Sequence, residues 1–147
     1  MNIYIGSDHA GYELKEKIKN YLSELNYQFE DIGPFELDSD DDYPDFITPV
    51  AKATSHNKEN RGIVIGGSGQ GEAICANKVK GIRATTYYGG DMNIVKISRE
   101  HNNANTLSIG ARFASEEEAR RAVKIFLETP FSQDERHIRR INKIEQE

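Results

Sequence analysis

The sequence predicts an α/β protein: a doubly wound parallel sheet of about five strands with flanking helices and a C-terminal helix. Short apolar runs alternate with amphipathic stretches along the chain, and this alternation is typical of βαβ units that build a parallel sheet. The run over 62–65 is apolar at consecutive positions, as expected of a central strand that is covered on both faces. Because the 147 residues contain no internal repeat or linker, we expect a single domain over 1–147.

Local signals place the elements in order. Apolar residues spaced by three and four predict a helix after the first strand, and the Gly33-Pro34 breaker closes the second strand. A proline at position 44 suits the first turn of the next helix, and Ser115 with Glu118 forms a capping-box pattern. The predicted strands cover 3–5, 27–32, 62–65, 83–87 and 106–109, and the predicted helices cover 12–25, 44–56, 71–78, 92–100, 116–127 and about 134–144.

The composition argues against several classes of protein. Dedicated nucleic-acid and membrane-surface binders usually carry a net basic face, whereas this chain has a formal net charge of −5. No apolar run approaches the roughly 20 residues that a membrane helix needs, and the first residues lack the pattern of a signal peptide. The single cysteine, Cys75, allows no internal disulfide and is expected to be a packed helix residue. We therefore expect a cytoplasmic protein.

One acidic run, over 36–45, differs from the rest of the chain. Its alternate aspartates have the spacing of the first calcium ligands in an EF-hand loop. However, Tyr43 stands where that loop needs glycine, and Pro49 stands where it needs a bidentate glutamate. Since charge runs are usually solvated, we expect a solvated loop and no metal site here.

A glycine-rich loop over 66–72 follows the third predicted strand. In an open parallel sheet, ligands bind beyond the carboxyl ends of the strands, where the strand order reverses. Here several backbone N–H groups and a helix N-terminus can hold a phosphate or stabilise a developing oxyanion. The loop is neither a Walker loop nor a dinucleotide loop, because no Lys-Ser/Thr follows and Glu72 replaces the last glycine. A tight turn with an acidic first helical turn explains the spacing equally well.

Three other groups of residues have both a functional and a structural interpretation. The Asp-His pair at 8–9 follows the first strand and is either part of a site or a capped turn. His101 stands at a predicted helix end, where a histidine also suits the helix dipole. Arg136 and Arg140 lie one helical turn apart, and together with His137 they form a clamp for a dianionic phosphate or a solvated basic face. A nucleic-acid-binding face is a third interpretation, which the acidic remainder of the chain weakens.

Seven short motifs occur in order along essentially the whole chain. They are GSDHAG (6–11), DYPD (42–45), GGSGQGE…ANK (66–78), GIRA (81–84), SREHNNAN (98–105), IGAR (109–112) and RHIRRI (136–141). No single motif is decisive, but the set in this order is highly specific. Together the motifs resemble the ribose-5-phosphate isomerase B family, whose relatives include galactose-6-phosphate and allose-6-phosphate isomerases.

The resemblance implies a Rossmann-like fold and the interconversion of D-ribose 5-phosphate and D-ribulose 5-phosphate through a cis-enediolate, a step of the pentose phosphate pathway. It implies no cofactor or metal, and a homodimer or tetramer whose sites are shared between subunits. Many members of the family take the C2 proton with a cysteine at the end of the third strand, where this chain has Gly66. The chain instead resembles the subgroup in which the glutamate of the glycine-rich motif is the base, and this assigns the role to Glu72.

The resemblance extends to further site residues. The catalytic positions are Glu72, His101, which helps to open the furanose ring, and Ser68, which orients Glu72 or the substrate. By the same resemblance, Asp8 and Tyr43 bind the sugar hydroxyls, and Asn102 binds the open-chain oxygens. The enediolate is stabilised by Gly67, Gly69, Gln70 and Gly71. The phosphate is bound by His9, Arg112, Arg136, His137 and Arg140.

Two alternatives stand beside a ribose 5-phosphate isomerase. The same chemistry could act on a six-carbon sugar phosphate, since the sequence determines pocket depth poorly. A non-catalytic sugar-phosphate sensor needs the arginine clamp but neither Glu72 nor His101, so the presence of both argues against it. For Glu72 as a base, the helix N-terminus lowers the pKa and desolvation raises it, and the sequence leaves that balance open.

Overall fold

The computed structural model describes residues 1–146, which form five strands and six helices. The strands are β1 (Ile3–Ser7), β2 (Phe29–Gly33), β3 (Arg61–Gly66), β4 (Ala84–Tyr87) and β5 (Thr106–Gly110). The helices are α1 (Tyr12–Glu24), α2 (Pro44–Ser55), α3 (Gln70–Asn77), α4 (Asn93–Asn102), α5 (Glu116–Glu128) and α6 (Glu135–Ile144). Every predicted element is present in its predicted order, so the predicted α/β class is confirmed.

All five strands are parallel and lie in the order β2-β1-β3-β5-β4. The chain moves from β1 outward to β2 and then returns past β1 to β3, so the strand order reverses between β1 and β3. Parallel crossovers are right-handed, so connections that run in opposite directions place their helices on opposite faces. Accordingly α1, α4 and α5 pack on one face, and α2 and α3 pack on the other.

The core consists of two layers separated by the sheet. Successive side chains of a strand point to opposite faces, so Ile63 and Ile65 of β3 join the layer with α1, α4 and α5. Val64 joins the layer with α2 and α3. All three side chains are fully buried. The consecutive apolar positions in the sequence are therefore explained by helices on both faces of β3.

Backbone hydrogen bonds at the end of α1 move the start of β2. The N–H of Asn26 donates to the carbonyl of Ser23, and the N–H of Tyr27 donates to the carbonyl of Leu22. Asn26 has a φ of +61°, in the left-handed region that commonly ends a helix. These bonds occupy the first residues of the predicted strand, so β2 begins at Phe29, two residues later than the sequence predicts.

The helices are short, and the best-capped one has the predicted cap. At the start of α5, Ser115 Oγ accepts from the N–H of Glu118, and Glu118 Oε1 accepts from the N–H of Ser115, both at 3.1 Å. The longest helices, α1 and α5, have 13 residues each. Within residues 1–146, no helix combines the length and apolar character that crossing a bilayer requires.

Truncation of a side chain in the central core tests this packing. Leu107, in β5, is fully buried. We expect Leu107→Ala to lower the free energy of unfolding by about 2–5 kcal/mol, because it leaves a cavity in a close-packed core. The matched control is Leu37→Ala, at a side chain that is 62% exposed, with an expected change below about 0.5 kcal/mol. Denaturation in urea measures both variants, and equal losses would contradict this description of the core.

Candidate active site

The loops that follow β1 and β3 lie side by side at the carboxyl edge of the sheet. Ser7 of β1 pairs with Ile65 of β3, and the N–H of Asp8 donates to the Ile65 carbonyl at 3.2 Å. Gly11 approaches β3 so closely that a Cβ at this position would lie 2.4 Å from the Ile65 oxygen. The strand order reverses here, which is where α/β sheets bind their ligands.

The glycine-rich loop joins β3 to α3 in a sharp turn. Gly69 has a φ of +76°, which glycine adopts without strain, and its carbonyl accepts a 2.6 Å hydrogen bond from Ser108 Oγ. Ser68 Oγ accepts a 3.3 Å bond from the N–H of Gln70, the first residue of α3. The first N–H groups of a helix have no partner within the helix. The segment 67–71 therefore presents backbone donors next to the N-terminus of α3.

Glu72 lies in the first turn of α3 and is 4% exposed. Its carboxylate fills the space directly beside Gly66, where a Cβ would lie 2.0 Å from Oε1. A side chain at position 66 would therefore collide with the carboxylate. A cysteine at the end of β3 would therefore displace the end of the Glu72 side chain from this position.

The surroundings of Glu72 strengthen it as a base. Burial raises the pKa of the Glu72 carboxyl above its ordinary value, against the opposing effect of its own backbone N–H, and the negative charge of Asp8 raises it further. Asp8 is 8% exposed, and its Oδ1 accepts from the N–H of Gly11 at 3.0 Å. Burial thus has a larger effect on the pKa of Glu72 than the backbone hydrogen bond in the first turn of α3.

Tyr43 and Arg112 border the glycine-rich loop. Tyr43 precedes α2 and is 37% exposed, and a Cβ at Gly71 would lie 2.9 Å from its hydroxyl oxygen. The N–H of Arg112 donates to the carbonyl of Gly67 at 3.0 Å. Its guanidinium lies beside the same glycine, because a Cβ at Gly67 would be 3.2 Å from Nη1. The loop is therefore flanked by one phenol and one cation, both of which the sequence predicts as substrate-binding groups.

His9 contacts the acidic run. Its Nδ1 lies 2.6 Å from Asp41 Oδ1, which also accepts the His9 backbone N–H at 3.2 Å. The Asp41 side chain is 6% exposed, so the expectation of a solvated loop over 36–45 is wrong at this residue. The hydrogen bond that His9 makes to the Asp41 carboxylate raises the pKa of His9; burial and Arg112 lower this pKa, and Asp8 raises it further. Sequence reasoning missed Asp41 because no local spacing signals a contact across 32 residues.

A second group of predicted site residues lies where α4 and α6 meet. His101, in the last turn of α4, stacks on His137 of α6 with the ring centroids 4.4 Å apart. His137 is 3% exposed. Burial lowers the pKa of His137, and the neighbouring His101 and Arg136 lower it further. Asn102, Arg136 and Arg140 are exposed around this pair.

The two groups of residues lie at opposite edges of the sheet. α4 returns the chain from the carboxyl edge to the amino edge, so His101 lies near Thr106, where β5 begins. Glu72 instead lies beyond Gly66, which pairs with Gly110 at the other end of β5. The four steps of β5, at about 3.3 Å each, separate the edges by about 13 Å. A single chain therefore does not bring the second group to Glu72.

The described residues suggest no metal site. Within residues 1–146, no group of three or more histidine, cysteine, aspartate or glutamate side chains is arranged to hold a metal ion. Cys75 is half-buried in α3, with Sγ 3.3 Å from Thr48 Oγ1. It packs as a helix residue, as the sequence predicts. A reaction without metal or cofactor stays a prediction.

The sequence of the chain matches the model of a known protein family. The model described as Ribose/Galactose Isomerase matches residues 3–144. The chain belongs to this family. Ribose-5-phosphate isomerase B of Mycolicibacterium paratuberculosis is 44% identical to it, over 97% of this chain and 88% of the relative.

Solved structures agree with this assignment. A crystal structure of ribose-5-phosphate isomerase B from Mycoplasma genitalium with bound ribulose-5-phosphate is similar with a TM-score of 0.93 and 39% identity, over 99% of this chain and 94% of that chain. The ribose 5-phosphate isomerase of Thermotoga maritima is similar with a TM-score of 0.92 and 41% identity, over 99% and 98% of the two chains. The resemblance drawn from the seven motifs is confirmed.

The burial of Glu72 predicts a pH-dependent gain in stability for Glu72→Gln. Since the pKa of Glu72 is raised in the folded chain, the protonated form is favoured there. The stability that the protonated Glu72 carboxyl contributes is fully present below its pKa in the unfolded chain. This stability is lost as the pH rises through the higher pKa of Glu72 in the folded chain. We expect Glu72→Gln to have a higher free energy of unfolding than the wild type near about pH 7, with the difference shrinking toward about pH 4. Urea denaturation across this range measures it, and a pH-independent difference would contradict the raised pKa.

Proposed function

We propose that this protein interconverts ribose 5-phosphate and ribulose 5-phosphate as an aldose–ketose isomerase. The observation that carries the proposal is the buried Glu72 carboxylate, which occupies the space beside Gly66 and adjoins the N–H donors of the glycine-rich loop. A base next to oxyanion donors is what the formation of an enediolate requires. Family membership and the ribulose-5-phosphate bound to the Mycoplasma genitalium relative support the substrate.

Glu72 acts as the proton shuttle. It takes the proton from C2 of the open-chain aldose, and the electrons of the broken C–H bond form the C1–C2 double bond of a cis-enediolate. The negative charge moves to the oxygen on C1. Glu72 then delivers the proton to C1 while the hydroxyl proton on O2 passes to O1, which leaves the ketone at C2. The raised pKa of Glu72 supports this role, because a general base works best when its pKa approaches the working pH.

The residues around Glu72 hold the reacting carbons in place. Backbone N–H groups of the segment 67–71 stabilise the enediolate oxygen, and loss of one such donor typically costs about 3–4 kcal/mol in the barrier. Asp8 and Tyr43 bind sugar hydroxyls from the rim of the loop, and Ser68 orients the base or the substrate. Arg112 grips the phosphate, for which its planar fork is suited.

Each complete site contains residues from two copies of the chain. The groups at Glu72 and His101 lie at opposite edges of the sheet, which are separated by the length of β5, about 13 Å. A second copy that places its α4–α6 group against the loop of the first supplies His101 for ring opening and Asn102 for the open-chain oxygens. It also supplies the exposed Arg136 and Arg140 for the phosphate, while the buried His137 stacks on His101. A two-fold dimer repeats each contact, so one such arrangement creates two equal sites; we propose this homodimer.

Turnover of purified, EDTA-treated protein tests the reaction. We expect conversion of ribose 5-phosphate to ribulose 5-phosphate, with clear preference over allose 6-phosphate and galactose 6-phosphate. Metal removal should have no effect because side chains and backbone supply both the base and the oxyanion donors. Ketose formation is the readout. Activity on a six-carbon substrate alone would preserve the mechanism and replace the substrate, and no activity on any of the three would refute the proposal.

Two substitutions at the base should have the same kinetic consequence. Glu72→Gln removes the proton acceptor, and Gly66→Ala displaces the carboxylate. Both should lower kcat by about two to four orders of magnitude, the usual contribution of a general base, and keep KM within a few-fold. Cys75→Ser is the control and should keep most activity; we place the protein in the cytoplasm, where Cys75 remains a free thiol. A fully active Glu72→Gln enzyme would remove Glu72 from this role.

Mixing two inactive variants tests the shared site. Glu72→Gln and His101→Ala are each expected to lack activity, because each damages every site of its own homodimer. Co-refolded subunits form mixed dimers in which one site has both native residues, so activity should recover to about a quarter of wild type. Each variant refolded alone is the control. If the mixture stays inactive although mixed dimers form, Glu72 and His101 do not come from different subunits.

A further inference from the structure

Asp41 differs from its neighbours in the acidic run. Asp38, Asp40 and Asp42 are exposed, whereas the Asp41 side chain is 6% exposed and binds His9 through both the ring Nδ1 and the backbone N–H. The other oxygen of Asp41, Oδ2, is buried without a hydrogen-bond partner. A buried carboxylate with so few partners is costly unless a positive charge lies beside it.

The contact between Asp41 and His9 Nδ1 determines whether the second ring nitrogen of His9, Nε2, can donate a hydrogen bond. An ionised carboxylate can only accept, so Nδ1 donates its hydrogen to Asp41. In the neutral ring, Nε2 is then bare and repels a phosphate oxygen, whereas the imidazolium carries a hydrogen on both nitrogens. The His9 side chain is 33% exposed, and within residues 1–146 no group occupies Nε2. His9 can therefore bind an anion through Nε2 only when it is protonated.

We propose that Asp41 is a positioning residue that holds His9 as an imidazolium, so that the Nε2–H of His9 binds the substrate phosphate. The inference rests on the proposed function, which supplies the sugar phosphate as ligand. Phosphate binding is thereby linked to the protonation of one histidine. Within the acidic run, Asp41 is the residue that affects phosphate binding.

The other charges that face His9 explain why a carboxylate is needed. Asp8, in the same loop, favours the imidazolium, whereas Arg112, which follows β5, disfavours it. Arg112 is itself a phosphate ligand in the proposed site. Two cations that hold one phosphate repel each other before the ligand arrives, and the carboxylate of Asp41 offsets this repulsion.

The pH profile of KM tests the role of Asp41. Asp41→Asn keeps the shape of the side chain and an oxygen that accepts from Nδ1, but it removes the charge. We expect its KM for ribose 5-phosphate to exceed the wild-type KM by a factor that is smallest near about pH 6 and rises severalfold toward about pH 8, because loss of the carboxylate charge lowers the pKa of His9 and so the protonated fraction at high pH. The kcat should not change, because His9 moves no proton. Phosphate ionisation is common to both proteins and cancels in the ratio.

Asp40→Asn, at an exposed neighbour, is the matched control and should leave KM unchanged across the pH range. A KM ratio of Asp41→Asn to wild type that does not rise with pH would overturn the proposal. So would an equal rise in Asp40→Asn, because it would show a general effect of charge in the loop.

NMR titration of the four histidines, with His9→Gln for assignment, tests the pair without any turnover. In the wild type, His9 should titrate above the ordinary histidine pKa of about 6.5, and inorganic phosphate should raise its pKa further. A wild-type His9 with the ordinary histidine pKa would overturn the proposal even if Asp41→Asn does not fold. A His9 pKa that does not change when inorganic phosphate is added would also overturn it. Both NMR responses in a protein without isomerase activity would support the Asp41–His9 pair and refute only the proposed reaction.

Discussion

The close packing around β3 is the constraint on which the rest of the structure depends. β3 pairs with β1 and β5, and helices cover both of its faces. Its neighbours approach so closely that glycine stands near each end: a Cβ at Gly62 would lie 2.8 Å from Thr54 Oγ1, and one at Gly66 would collide with Glu72. The packing that builds the core therefore also creates the space in which the carboxylate lies.

The same arrangement couples the stability of the fold to its chemistry. A carboxylate that is 4% exposed loses much of its hydration, and this loss raises the pKa of Glu72, which suits the base that we propose it to be. His9 shows the opposite case, in which a buried aspartate stabilises a cation at the rim of the same site. The two carboxylates thus differ in their surroundings, because Asp41 has a cationic partner in His9 and Glu72 is shifted mainly by burial.

Chain direction explains why one copy of the chain keeps the Glu72 and His101 groups apart. Right-handed crossovers bring each helix back from the carboxyl edge to the amino edge of the sheet, so His101 at the end of α4 must lie far from Glu72 at the start of α3. No side-chain movement spans that separation. In the proposed dimer, the two groups of residues come together across the interface, because the amino edge of one copy can contact the carboxyl edge of the other.

The sequence by itself determined the type and order of every strand and helix, and it singled out the glycine-rich loop. The signals for these features are local: the spacing of apolar residues, the Gly-Pro breaker, the capping box and the spacing of glycines. The sequence missed the start of β2 by two residues, since backbone bonds at the end of α1 are not encoded in spacing. The tertiary structure alone decided that Glu72 fills the space beside Gly66, that Asp41 binds His9, and that His101 lies at the other edge. The physical reason is that these relations are distances between segments far apart in the chain, and only the packed sheet and its helices determine such distances.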